Sequence, residues 1–271
     1  STTVYLLSMD GALPVVFDAA IFADTGDEPS GVYRHLDWLK GLGGPPIIVR
    51  SAGHLGSDIL HGRNSTGQTF YVASIPAYTG LTVGGATGKG RRQCTREYKI
   101  DVVERAVRRD LLGLQPRQRI PRGTTVHQYI GISLDEARRA ISIRERFATG
   151  ERKGVPHFPL LDLGWTRTEC QKYLRDRVPH PVERSACVFC PLKSDKEWAR
   201  MKADDPESWS RAVEVDEALR SPDRVAAIRI GMRQSIFLHR SATPLRTAVL
   251  NHEGQGEFPT FATECEGACG V

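Results

Sequence analysis

Short apolar runs that end abruptly in acidic or glycine residues set the strongest limit on how this chain can fold. In "FDAAIFADTGDEP" an apolar run over residues 19–23 stops at Asp24 and Gly26. "PIIVR" (46–50) is a second such run, and "HQYIGISLDEA" contains a third that leads into two acids. Strands buried in a parallel sheet have this pattern, and ligands bind at the carboxyl ends of such strands. The sequence therefore predicts a parallel α/β sheet with a site along one edge.

Helical segments separate these runs. "GVYRHLDWLKGLGG" has a helical pattern ended by glycine, and residues 1–12 can form a helix that Pro14 stops. "IDVVERAVRRDLLG" places Ile100, Val103, Val107 and Leu111 at helical spacing, which predicts one apolar face. The alternation of strands and helices is typical of the α/β class.

Composition excludes some classes of protein. No run approaches the roughly 20 apolar residues of a membrane span, and no signal peptide is visible, so we expect a cytoplasmic protein without a membrane partner. In a reducing compartment, six cysteines are expected to be metal ligands, catalysts or packing residues rather than disulfides.

The stretch "RSACVFCPLKSDKEW" carries the most chemical information. Cys187 and Cys190 have the C-x2-C spacing that allows two thiolates to reach one metal ion or cluster. Ser194 and Glu197 form a capping box, so a helix begins directly after the loop and its N–H groups favour thiolates. Together with a C-x3-C near residue 271, the pair predicts either structural zinc or an iron–sulfur site, which spacing alone does not separate.

The other cysteines differ in setting. Cys94 lies in the basic stretch "RRQCTREYKI", just before a helix. Cys170 follows a T-x-x-E capping box and shares a helix with Tyr173 and Leu174, so we expect it to pack in the core.

Six stretches together resemble the phosphoadenosine phosphosulfate (PAPS) reductase family. They are "IFADTGDEP", "RRQCTREYKI", "YIGISLDEARR", "PLLDLGWTRTEC", "SACVFCPLKSDKEW" and "ECEGACGV". The chain is most similar to the phage and bacterial branch of that family, which is related to the ATP pyrophosphatases of DNA phosphorothioation. The resemblance implies a Rossmann-like parallel sheet with flanking helices, of the adenine nucleotide alpha-hydrolase type. It also implies a nucleotide-binding α/β domain over 1–150 and a smaller helical region over 151–271 that carries the cysteine loop and tail.

The resemblance implies a set of ligand contacts at the carboxyl edge of the sheet. ATP or another adenine nucleotide, with Mg²⁺, would bind there, and Ser1 would be the last serine of a phosphate loop whose beginning, with the first strand, is missing from the sequence. The residues implied to contact the nucleotide are Ser1, Asp24, Thr25, Gly26, Arg96, Lys99 and Arg240.

The resemblance also implies roles for the cysteines. Cys94, Cys187 and Cys190 would hold a [4Fe-4S] cluster, with zinc as the alternative metal. Cys269 would be the fourth ligand, unless Cys265 takes that position. In a reductase the same two C-terminal cysteines would be the catalytic thiols.

Three functional hypotheses follow. In the first, the protein activates a substrate by adenylylation and then transfers sulfur to it, with a sulfur donor such as a cysteine desulfurase as partner. In the second, it reduces adenylyl sulfate or PAPS, and a dithiol reductant regenerates its thiol. In the third, it is a non-catalytic component of a DNA-modification or phage assembly that binds a nucleotide or nucleic acid and has a structural metal site.

Overall fold

The structure is a computed structural model that describes residues 1–61, 75–81, 87–221 and 235–250. Within these ranges the fold is mixed α/β. The strands are β1 (Ala20–Asp24), β2 (Ile47–Ser51), β3 (Tyr78–Leu81), β4 (Thr87–Lys89), β5 (His127–Tyr129), β6 (Val155–His157) and β7 (Ile236–Phe237). The first two apolar runs are therefore strands, as the sequence predicts.

The described strands pair in three small groups. β1 and β2 are parallel with Ala20 opposite Ile47, and β5 and β6 are parallel with His127 opposite Val155. β3 is antiparallel to both β4 and β7. The parallel pairing agrees with the α/β prediction, and a single Rossmann-like sheet stays a prediction.

Helices follow most strands. They are α1 (Thr2–Met9), α2 (Ser30–Gly41), α3 (Leu55–His61), α4 (Gln93–Thr95), α5 (Asp101–Ala106), α6 (Ala137–Ala148), α7 (Pro159–Asp162), α8 (Arg167–Arg175), α9 (Asp195–Asp204) and α10 (Pro206–Ala218). Among the described residues, no helix has both the length and the apolar character that crossing a bilayer requires.

Two sequence predictions need correction. The third apolar run is a strand only as far as Tyr129, because the N–H of Ile132 turns back to donate to the carbonyl of Ile130 at 2.9 Å. The helical segment over residues 93–111 contains two π turns. The prediction that Leu111 belongs to its apolar face is wrong. Val103 and Val107 are buried but Leu111 is 40% exposed, since the wider π turn over Val107–Leu111 shifts side chains off the α-helical face.

Hydrophobic packing crosses the predicted domain boundary at residue 150. The largest apolar cluster combines Leu55 and Tyr98 with Trp198 and Val215, and β6 pairs with β5 across the boundary. The division into 1–150 and 151–271 stays a prediction. Cys170 packs in a separate cluster with Val4 and Leu7, which confirms its core position.

Two backbone hydrogen bonds bring distant segments to the end of β1. The N–H of Leu55 donates to the carbonyl of Thr25 at 2.9 Å, and the N–H of Val188 donates to the carbonyl of Asp27 at 2.8 Å. The start of α3 and the C-x2-C loop are thereby attached to the turn after β1. This attachment places the thiols beside the edge of the sheet.

Candidate functional site

A cavity of about 360 Å³ borders β1 and the turn after it. Six residues predicted from the sequence line it: Ser1, Thr25, Lys99, Cys94, Cys187 and Cys190. They come from the start of α1, the end of β1, the 93–111 helix and the C-x2-C loop. The fold thus brings together groups that lie up to about two thirds of the chain apart.

Cys187 is the most enclosed of the three cysteines that are predicted to be metal ligands. Its Sγ lies 3.2 Å from Oγ1 of Thr25, and the N–H of Cys190 donates to the Cys187 carbonyl at 2.9 Å, which closes a tight turn between the two thiols. Burial raises the pKa of the Cys187 thiol well above its usual value, and the nearby charge of Glu28 adds to this, while Lys99 acts against it. Cys187 is therefore a neutral thiol unless a cation or electrophile reaches it.

A buried carboxylate connects the walls of the cavity. Glu28 is 4% exposed and accepts hydrogen bonds from Oγ1 of Thr25 at 3.3 Å and from Oγ of Ser185 at 3.1 Å. Nζ of Lys99 lies 3.6 Å from its Oε1. Because Glu28 bonds to the turn after β1, the 93–111 helix and the cysteine loop, it fixes their relative positions.

Three arginines missed by the sequence analysis also line the cavity. They are Arg139, Arg167 and Arg184, and with Lys99 they outnumber the lining acids Glu136 and Glu183. Three of these four cations already have an acidic partner: Arg139 pairs with Glu136, Arg184 with Glu197 and Lys99 with Glu28. An anionic ligand would therefore share cations that are held in ion pairs. Arg184 could have been found, since it lies in the cysteine stretch itself.

The first turn of α1 forms another part of the wall. Ser1 and Thr2 border the cavity, and Oγ1 of Thr2 is hydrogen-bonded to Nε2 of His35 at 2.8 Å. A side chain at Gly131 would lie 3.1 Å from Cα of Ser1, so this close approach requires glycine.

Asp24 and Gly26 shape the turn after β1 rather than line the cavity. Oδ1 of Asp24 accepts the N–H of Gly26 at 2.8 Å and the hydroxyl of Tyr33 at 2.9 Å. Gly26 has φ +78°, and a Cβ there would lie 2.8 Å from the ring of His54. These contacts explain the Asp-Thr-Gly sequence as a tight turn that orients Thr25.

The two remaining cationic candidates lie outside the cavity lining. Arg96 is exposed and pairs with Glu151 at 3.2 Å, and Arg240 donates to Asp195 at 2.8 Å. Their contacts with a nucleotide stay predictions. Cys265 and Cys269 lie outside the described residues.

The thiols meet part of the requirement for a metal centre. Cys187 and Cys190 are adjacent soft donors, and Cys94 borders the same cavity. Within the described ranges, no group of three or more His, Cys, Asp or Glu side chains is placed to hold a metal ion. The ligation of a thiophilic metal centre by Cys187, Cys190 and Cys94 therefore stays a prediction.

Comparisons of the chain with protein-family models, with curated proteins and with solved structures found no match.

Proposed function

We propose that this protein is an iron–sulfur enzyme of the PAPS reductase type that binds an adenine nucleotide in the cavity. It would either activate a substrate by adenylylation for sulfur transfer or reduce adenylyl sulfate or PAPS. One observation supports this proposal above the others: Cys94, Cys187 and Cys190 border the same cavity as Lys99 and three arginines. Sulfur nucleophiles beside basic side chains suit chemistry in which sulfur reacts next to a phosphate or sulfate.

The side chains of the chain have distinct tasks in this proposal. Arg139, Arg167 and Arg184 bind the anionic groups of the nucleotide, because guanidinium groups form forked hydrogen bonds with phosphate and sulfate oxygens. Lys99 is held against Glu28, so it presents a fixed positive charge close to Cys187. The cavity wall is otherwise rich in apolar side chains such as Ile21 and Leu36, which limit the access of water.

Cys187 and Cys190 would hold the cluster with Cys94 and Cys269. When bound, a [4Fe-4S] cluster supplies thiophilic iron and a path for electrons. Thr25 stays within hydrogen-bond distance of the Cys187 sulfur and orients it.

Nucleotide binding tests the pocket. We expect ATP, adenylyl sulfate or PAPS to bind the full chain in calorimetry, and Arg167→Ala or Arg184→Ala to weaken that binding by about tenfold, the loss of one charged hydrogen bond. Arg105→Ala is the matched control, because Arg105 is exposed and does not line the cavity. Equal affinity in all variants, or no binding of any of the three nucleotides, would refute the assignment of the pocket.

Metal analysis tests the thiols separately. Protein purified without oxygen should contain about four irons and four acid-labile sulfides and absorb near roughly 400 nm, with loss of absorbance on reduction. Cys187→Ser should abolish this content. One zinc and no iron would refute the cluster and support the hypothesis of a binding component with a structural metal.

A further inference from the structure

Two histidines on neighbouring strands converge outside the cavity. Side chains alternate along a strand, so His127 and Tyr129 share one face of β5. The parallel register puts His157 of β6 opposite Tyr129, and His127 lies diagonal to it. Nδ1 of His127 is 2.8 Å from Nε2 of His157, and the ring centroids are 5.1 Å apart.

Neighbouring groups fix the orientation of this pair. The ring of Tyr129 stacks on His157 with centroids 4.6 Å apart and planes 13° apart, and Phe17 packs on Tyr129 at 4.9 Å. Gln128 points to the opposite side, where its amide donates to the carbonyl of Lys153 at 2.9 Å. The inward bond of Gln128 opposes a one-residue slip of β5, because a slip would turn every side chain to the other face.

The distance between the two nitrogens is close to that of a metal chelate. With metal–nitrogen bonds of about 2.0–2.1 Å, two imidazoles on one ion have their nitrogens about 2.9 Å apart at a right angle and about 3.3 Å apart at a tetrahedral angle. The observed 2.8 Å needs about half an ångström of widening or less, and both rings must also turn so that their lone pairs point to one ion. The hydrogen now shared by the facing nitrogens would move to the other nitrogen of its own ring.

We propose that His127 and His157 form a two-imidazole site for a divalent first-row transition-metal ion such as Ni²⁺, Cu²⁺ or Zn²⁺. Paired nitrogen donors favour these ions over Mg²⁺ and Ca²⁺, which prefer oxygen ligands. No third His, Cys, Asp or Glu completes the set among the residues that the structure describes. His127 is exposed, so water fills the remaining positions and the ion exchanges with solvent. This site is independent of the proposed enzymatic function.

A second histidine pair in the same chain provides a contrast. Nδ1 of His35 is 2.9 Å from Nε2 of His180, which is almost the same distance. Here the other nitrogen of His35 is already bonded to Thr2, and Trp38 stacks on the ring. A metal ion would place charge in a buried position, so we expect this pair not to bind.

Nickel titration of the untagged full chain tests the proposal. Calorimetry at pH 7.5 should detect a Ni²⁺ site in the wild type. His127→Ala or His157→Ala should each weaken Ni²⁺ binding by about tenfold or more, because the single imidazole that remains cannot chelate the ion. Binding to cysteines is common to all variants, so the difference between them reports the histidines.

His61→Ala and His180→Ala are the controls. His61 is an exposed single histidine, and His180 belongs to the contrasting pair. Both should keep the wild-type affinity. The proposal is wrong if His127→Ala or His157→Ala changes the affinity less than twofold, or if a control weakens it equally.

Discussion

Acidification should destabilise this protein through His35, whose ring is enclosed between α1 and the segment around His180. Burial, and then the charge of His180, lower the pKa of His35 from 6.5 to about 4. Both of its ring nitrogens are bonded, one to Thr2 at 2.8 Å and the other to His180 at 2.9 Å. A proton on both rings would replace the second bond with repulsion.

The sign of this pH effect follows from proton binding at His35 in the unfolded and the folded chain. The unfolded chain binds a proton at His35 near pH 6.5, whereas the folded chain binds it only near pH 4. The stabilisation is therefore complete above pH 6.5 and is lost as the pH falls through this window. At pH 5 the loss amounts to about 2 kcal/mol of unfolding free energy.

Urea unfolding at pH 7.5 and at pH 5.0 measures this loss. Between the two conditions, the wild type should lose about 2 kcal/mol more than His35→Gln, which has no titratable ring. His61→Gln should behave like the wild type, because His61 is exposed. If the pH dependence of His35→Gln equals that of the wild type, the buried neutral imidazole does not exist and the reasoning fails.

Three further predictions concern the site and its supports. Replacing one partner of the buried ion pair, by Glu28→Gln or Lys99→Met, should lower the unfolding free energy by about 3–5 kcal/mol. The double variant should lose less than the sum of the two single losses, and additive losses would show that the pair is not coupled. Ser194→Ala removes the cap of α9, where Ser194 accepts the N–H of Glu197, and should cost about 1 kcal/mol in urea unfolding, with the exposed Ser210→Ala unchanged. Gly26→Ala should lower the melting temperature more than Gly11→Ala does. Both glycines have a positive φ, but only at Gly26 would the new methyl group lie 2.8 Å from a side chain, the ring of His54. Equal melting temperatures for the two variants would contradict this prediction.

Local signals were sufficient to predict much of the secondary structure. The capping boxes at Thr166 and Ser194 form as the sequence predicts, because each depends only on residues three positions apart. The apolar runs at β1 and β2 form strands for the same local reason. Leu111 shows the limit of such rules: its exposure depends on a π turn that no simple apolar spacing encodes.

The cavity could be predicted only in part, since its composition depends on contacts between distant residues. Thr25, Lys99 and the three cysteines were found because they lie in recognisable stretches. Arg139 and Arg167 belong to segments that read as ordinary helix starts, and only the packing of those helices turns them toward β1. Their contribution to the charge of the cavity therefore could not be read from any short window of sequence.

The contacts between the turn after β1 and the cysteine loop affect the protonation of Cys187. Thr25 and Cys187 are 162 positions apart, yet they are within hydrogen-bond distance. Burial, and after it the charge of Glu28, raise the pKa of the Cys187 thiol. Glu28 also bonds to Ser185 in the same loop, so one carboxylate influences both the position and the protonation of that sulfur. A ligand that draws Lys99 away from Glu28 would leave the carboxylate uncompensated and make the thiolate harder to form. A cation beside the sulfur would have the opposite effect. The reactivity of Cys187 therefore depends on the charge of what occupies the cavity, although neither Glu28 nor Cys187 carries this information in its local sequence.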